Sequence, residues 1–159
     1  MMRSLVIFFL VAVGTFIIDQ NLKVMAMSAV DGVEFAPILK GACIDLELHY
    51  NRGVAFSMLS FLGENLKWVQ LLLIVAILFF IFHDGYLKKF AFPLGLVVGG
   101  ALGNLYDRFI HEGVVDYVFW HCGFDFAVFN YADVMIDLGI ALILLFSFLE
   151  HRRTKREEG

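Results

Sequence analysis

Carboxylates and carboxamides recur at the edges of apolar runs in this chain. They are Asp19 with Lys23, Asn51 beside Arg52, Asn104 with Asp107 and Arg108, Asp116, and Asn130 with Asp133 and Asp137. The last group opens the run "FNYADVMIDLGIALILLFSFLE", which is otherwise suited to a bilayer. An Asp at the centre of a membrane helix costs roughly 2.5–3.5 kcal/mol, so such residues are functional candidates by default. Two carboxylates held close cannot both ionise cheaply, and they share a proton. One then acts as base and the other as acid. That division suits hydrolysis of a peptide bond: the ionised Asp activates water, and the protonated one polarises the carbonyl or protonates the leaving amine. A carboxamide such as Asn104 or Asn130 could orient the pair or the substrate backbone.

Each residue also has a plainer reading. Asp19 and Lys23 are spaced i, i+4 and can simply pair along a helix. Asp107 and Arg108 can form an interfacial ion pair that fixes helix ends, and Asn130 with Asp133 can be an N-terminal cap. Asp137, one turn from Asp133, can hydrogen-bond a neighbouring helix. The catalytic reading rests on their gathering in one place, which depends on the elements that carry them.

Those elements are membrane helices. The chain has 159 residues, 60% of them hydrophobic and 18% charged, with a mean hydropathy of +0.80. Water-soluble domains sit near 45–50% apolar and about 25% charged. Four apolar stretches predict spans over about 4–27, 65–83, 90–108 and 130–149, with connections at 28–64 and 109–129. Each uncharged core is slightly short of the ~20 residues that cross hydrocarbon, so the polar ends belong to the helices. "MMRSLVIFFLVAVGTF" is followed by "DQNLK" rather than a small-residue cleavage site, and reads as an uncleaved first span. Arg3, Lys88, Lys89 and "HRRTKR" share one side, the cytoplasm by the positive-inside rule. Both termini are then inside, and the polar clusters above all lie towards the outer face.

In the first outer connection, "IDLELHY" alternates polar and apolar residues and predicts a strand pair or small sheet, with a turn at "NRG". The whole is expected to be a single integral membrane domain, all-α, a four-helix bundle with a small β element between helices 1 and 2. His111, His121, Cys122, Asp116 and Asp125 share the second connection, but no paired ligand spacing supports a metal site. Cys43 and Cys122 both fall on the oxidising side, and spacing alone does not decide whether they pair. "GLVVGGALG" lies within a span, where small residues permit close helix packing. No nucleic-acid signature appears.

"DQNLK", "NRGVAF", "GGALGNLYDR", "GVVDY" and "FNYAD", in that order from Asp19 to Gly139, resemble the motifs of the lipoprotein signal peptidases, also called type II signal peptidases. The resemblance implies a four-helix aspartyl endopeptidase of the bacterial inner membrane. Its substrates are prolipoproteins whose cysteine already carries diacylglycerol, cut on the N-terminal side of that cysteine. By motif, the catalytic pair would be Asp116 of "VVDY" and Asp133 of "FNYAD". Asn51, Asn104, Arg108, Asn130, Asp19 and Lys23 would line or brace the site. The family uses no metal or other cofactor, and its partners are substrate and membrane lipid. This chain departs from the pattern at Tyr117, more usually Phe, at Val134, often Ser, and in lacking a Pro shortly before "FN".

Other classes make different demands. A presenilin-like peptidase would need a GxGD partner for the "YD" at Tyr106–Asp107, and none is present. A proton-coupled transporter would spread its carboxylates through the membrane depth. A non-catalytic assembly factor would tolerate loss of either Asp116 or Asp133.

Overall fold

The computed structural model describes residues 1–53, 60–124 and 126–157, so Val54, Ala55 and Phe56 of "NRGVAF", and Asp125, lie outside the described residues. Four long helices, α1 (Met2–Ala29), α2 (Leu66–His83), α3 (Leu87–Ile110) and α4 (Tyr131–Glu157), carry four short strands at one end. The strands are β1 (Pro37–Leu39), β2 (Ile44–Asn51), β3 (Val114–Trp120) and β4 (Val128–Phe129). Three of the helices, α1, α2 and α4, are long and apolar enough to cross a membrane.

α3 differs from them because it sits in the middle. Most of its residues are buried against protein, so its sequence is small and partly polar rather than uniformly greasy. It packs along α1 and α4 and more lightly on α2, while α2 and α4 share no extended contact. A Cβ on Gly99 would come within 2.5 Å of the Ala12 carbonyl of α1, and one on Gly100 within 2.6 Å of the Ala132 carbonyl of α4. Glycine is therefore what lets both backbones approach, as the run "GLVVGGALG" suggests. Phe90 leaves helical geometry three residues before Pro93, whose ring and missing N–H disturb the turn ahead of it.

In α1 the apolar run does not stop at Asp19 and Lys23. The buried residues Phe8, Ala12, Thr15, Asp19, Lys23 and Ala26 recur every three or four positions and form one continuous stripe. The two charges are on the face that meets protein, and the helix continues through them.

The strands form one antiparallel sheet in the order β1-β2-β3-β4. "IDLELHY" is a strand as its alternation predicts, but its main partner is β3, from the second connection between helices rather than the first. A β-bulge between Leu46 and His49 shifts the register, which places His49 opposite Asp116. Cys43 and Cys122 are joined as a disulfide across this pair of strands. At the opposite end of the bundle, Phe8, Ile81, Leu87, Phe90, Ala91, Leu94 and Val98 form a wholly apolar cluster.

Candidate active site

The site is built where the sheet meets the helix ends. Three residues, 111–113, connect α3 to β3, with Glu112 in the left-handed region at φ 58°. The Asp107 carboxylate accepts from the Val115 backbone N–H at 3.1 Å and pins the strand to the helix that precedes it. This short, tied connection sets Asp116 beside Asn104. Asp116 is 2% exposed.

α4 begins with a reciprocal cap. Asn130 Oδ1 accepts from the Asp133 N–H at 3.0 Å, and Asp133 Oδ2 accepts from the Asn130 N–H at 3.1 Å. This is the capping-box arrangement, so the capping reading and the site reading of these residues are both satisfied. The Tyr117 hydroxyl accepts from the Tyr131 N–H at 3.3 Å. A Phe at position 117 would lack that contact with the start of the helix.

Three asparagines then aim at the two carboxylates, and each has its oxygen already engaged. Asn51 Oδ1 accepts from the Gly53 N–H at 2.9 Å in the turn after β2, leaving Nδ2 to donate to Asp116 Oδ2 at 3.0 Å. Asn104 Oδ1 accepts from Lys23 Nζ at 2.9 Å, leaving Nδ2 to donate to Asp133 Oδ1 at 2.8 Å. Asn130 Oδ1 serves the cap, so its Nδ2 donates to Asp116 Oδ1 at 2.6 Å and to Asn104 Oδ1 at 3.1 Å. An amide has one acceptor end and one donor end. Occupying the acceptor end turns the donor end towards a carboxylate, and every carboxylate oxygen of Asp116 and Asp133 receives an N–H.

Beneath the asparagines lies a buried ion cluster. Lys23 Nζ meets Asp19 Oδ2 at 2.8 Å and Asp107 Oδ2 at 2.7 Å, besides Asn104. Its three N–H groups are all used. Asp19 Oδ1 accepts from the Ala132 N–H of α4 at 3.2 Å. Gln20 Nε2 donates to Asp19 Oδ2 at 3.1 Å and to Asp107 Oδ1 at 3.0 Å. The i, i+4 pair of α1 is thus real, and it is also the joint between α1, α3, β3 and α4. No buried side-chain nitrogen or oxygen among the described residues lacks a partner.

Arg108 and Asp107 do not pair with each other, contrary to the ion-pair reading. Adjacent residues on a helix point about 100° apart, and Arg108 turns to α2. Its guanidinium donates to Gln70 Oε1 at 2.9 Å and to the Gly53 carbonyl. Arg108 therefore holds the turn that orients Asn51 and touches neither Asp116 nor Asp133.

Burial pushes the Asp116 carboxyl up to about 7, the nearby charge of Asp133 adds to the effect, and the donors on Asn51 and Asn130 oppose it. Burial likewise pushes the Tyr117 hydroxyl up to about 12.

The structure brings together Asp116, Asp133, Asn51, Asn104, Asn130, Asp19 and Lys23, with Arg108 one contact behind. Asp137, one turn from Asp133, is exposed and makes no hydrogen bond or ion pair with these residues. Sequence reasoning did not single out Gln20 or Gln70, and it weighed Asp107 as a partner of Arg108 rather than of Lys23. Asp107 is three residues after Asn104, on the same helix face, and Gln70 is a lone amide in an apolar run; both were available signals. Of the residues weighed for a metal, Cys122 is in the disulfide and His121 Nε2 lies 3.2 Å from Asp45 Oδ1.

Two solved bacterial membrane enzymes share this arrangement of elements. One superposes with a TM-score of 0.77 at 26% identity, covering 93% of this chain and 90% of the other. The second gives 0.71 at 27% identity, covering 87% and 90%. In sequence, a lipoprotein signal peptidase of Sulfurovum sp. (strain NBC37-1) is 61% identical over 91% of this chain and 94% of its own length. One from Helicobacter pylori (strain ATCC 700392 / 26695) is 44% identical over 92% and 89%. Residues 11–149 match the family model for signal peptidase (SPase) II. The chain with the paired aspartates and three oriented asparagines belongs to the signal peptidase II family of proteases.

Proposed function

We propose that this protein removes signal peptides from prolipoproteins as a metal-independent aspartyl endopeptidase, with Asp116 and Asp133 as the catalytic pair. The observation that carries this reading is the convergence of the three asparagine amides on those two carboxylates. Asn130 spans them, giving its side-chain N–H to Asp116 and its backbone N–H to Asp133. The two carboxyls share one proton, and the Asp116 carboxyl, pushed up to about 7, is able to hold it near neutral pH. The protonated member gives its proton to the carbonyl oxygen or the leaving amine, and the ionised member takes one from the attacking water. Asn51, Asn104 and Asn130 keep both carboxylates in place, and Lys23 with Asp19 keeps Asn104 in place.

The substrate is the diacylglyceryl-modified form, cut before its lipidated cysteine. The chain is one domain with four helices spanning the bacterial inner membrane, both termini in the cytoplasm and the site towards the outer face. Membrane lipid surrounds it, and neither cofactor nor nucleic acid takes part. A cleavage assay on a diacylglyceryl-modified prolipoprotein tests the reading. Asp116→Asn and Asp133→Asn each lower turnover by at least about 10³-fold, within the range of lost acid or base catalysis, while the protein still inserts. Retained turnover in either variant sinks the pair. Activity lost to a chelator excludes the metal-independent mechanism, and equal cutting of unlipidated substrate excludes the substrate class.

A further inference from the structure

Asp137 lies one helical turn beyond Asp133 on α4, further from the sheet. Ala132, Ile136 and Gly139 face α3, where they meet Gly100, Val97 and Pro93. Asp133, Asp137, Ile140 and Leu144 form the adjoining stripe, at the three- and four-residue spacing of one helix face. Asp133 heads this stripe inside the site. Below it Asp137, Ile140 and Leu144 are exposed. Asp137 has no hydrogen-bond or ion-pair partner among the described residues. A carboxyl group in that position within a membrane helix is costly unless it faces water or a polar partner. α2 and α4 share no extended contact, so this stripe, exposed at Asp137, Ile140 and Leu144, presents an uncovered flank below Asp133.

On the peptidase reading, on which this inference rests, the signal peptide descends into the membrane from the cleaved bond. It therefore passes Asp137 after leaving Asp133. One helical turn is about 5.4 Å, and an extended peptide advances about 3.3 Å per residue. Asp137 is then level with roughly the second residue on the N-terminal side of the cut. We infer that Asp137 is a specificity-determining residue, its carboxyl accepting a hydrogen bond from a hydroxyl side chain at that substrate position. An alanine there leaves Asp137 without a partner, while a serine supplies the missing donor at nearly the same size.

The test uses two diacylglyceryl-modified prolipoproteins that differ only in Ser or Ala at that position. Wild type, Asp137→Asn and Asp137→Leu are assayed in the same vesicles. Wild type prefers the Ser substrate in kcat/KM by about fivefold, the worth of one hydrogen bond. Asp137→Asn keeps a preference, because its amide oxygen still accepts. Asp137→Leu cuts both substrates at one rate, that of wild type on the Ala form. A preference unchanged in Asp137→Leu overturns the assignment, as does an equal loss on both substrates. Failure of wild type to cut either substrate overturns the peptidase reading itself, a different result from cleavage without a preference.

Discussion

The two ends of the helix bundle are held together by opposite means. Far from the sheet, Phe8, Ile81, Leu87, Phe90, Ala91, Leu94 and Val98 interlock with no polar atom among their side chains. That cluster joins α1, α2 and α3, whereas at the sheet end α1, α3 and α4 meet through Asp19, Lys23, Asn104, Asp107 and Asn130. Lipid tails are as apolar as leucine, so the apolar end gains van der Waals contact but little hydrophobic driving force. It tolerates any side chains that fill the space. The polar end has one solution, because each donor and acceptor is assigned and a reversed amide would set like against like. The difference teaches where precision is kept: packing holds the helices, and hydrogen bonds fix angles around the carboxylates.

Lys23→Met is the largest test of that contrast outside the proposed catalytic pair. It keeps the length of the side chain and removes the cation from between Asp19 and Asp107. Breaking a buried ion pair from one side typically costs about 3–5 kcal/mol. The expected result is a lower unfolding temperature in detergent together with loss of cleavage, since Asn104 loses the donor that orients it. Full cleavage by Lys23→Met would show that the ion cluster is only one of several ways to place Asn104.

The next test separates charge from packing at Asp116. Its carboxyl is near 4 in an unfolded chain and is pushed up to about 7 in the folded one. The folded state thus keeps a proton that the unfolded state has lost, and the group's contribution to stability falls as pH rises between those values. Asp116→Asn does not titrate. Wild type should lose more stability than this variant between pH 5 and pH 8, by a few kcal/mol at most at about 1.4 kcal/mol per pKa unit. Thermal unfolding at the two pH values checks it, and parallel changes in both proteins would contradict the buried, proton-holding Asp116. On the proposed mechanism, which needs the shared proton, the rate should also fall as pH rises through about 7.

Much of this was legible in the sequence, and the exceptions have physical causes. The four helices follow from apolar runs, and the gathering of Asp19, Asn104, Asp116 and Asp133 follows from where those runs end. The glycines of "GLVVGGALG" correctly marked a packed helix. The sequence could not show that β2 pairs with β3, because strand pairing across sixty residues leaves no local pattern. Nor could it assign Asp107 to Lys23 rather than to Arg108. Adjacency in sequence suggested an ion pair, whereas the helix turns adjacent residues apart. The asparagines were visible as candidates, but the device that orients them was not. Each depends on a backbone N–H or an ammonium supplied by the folded chain.

Asn51→Ala probes that device with a smaller effect. It removes one of the two donors to Asp116 and frees the Gly53 N–H. A hydrogen bond to a charged group is worth about 1.5–3 kcal/mol, so kcat should fall roughly 10- to 100-fold. The lost donor had favoured the ionised form of Asp116, so the alkaline fall in rate should also move to higher pH. A purely structural Asn51 would lower the rate and leave the profile where it was.

Ile81→Val, in the apolar cluster, should be the mildest change of all. Deleting a buried methylene typically costs about 0.5–1.5 kcal/mol, and the wall around Ile81 is made of side chains able to settle into the space. Its position on α2, about three helical turns beyond Gln70, leaves the Arg108 contact with Gln70 undisturbed. Cleavage kinetics should match wild type within about twofold while the unfolding temperature drops slightly, the modest penalty of a lost core methylene. A large fall in kcat with stability nearly intact would mean that angles at the carboxylates are transmitted through the apolar end. The two ends would then be one device, and the division of labour between packing and hydrogen bonding would fail.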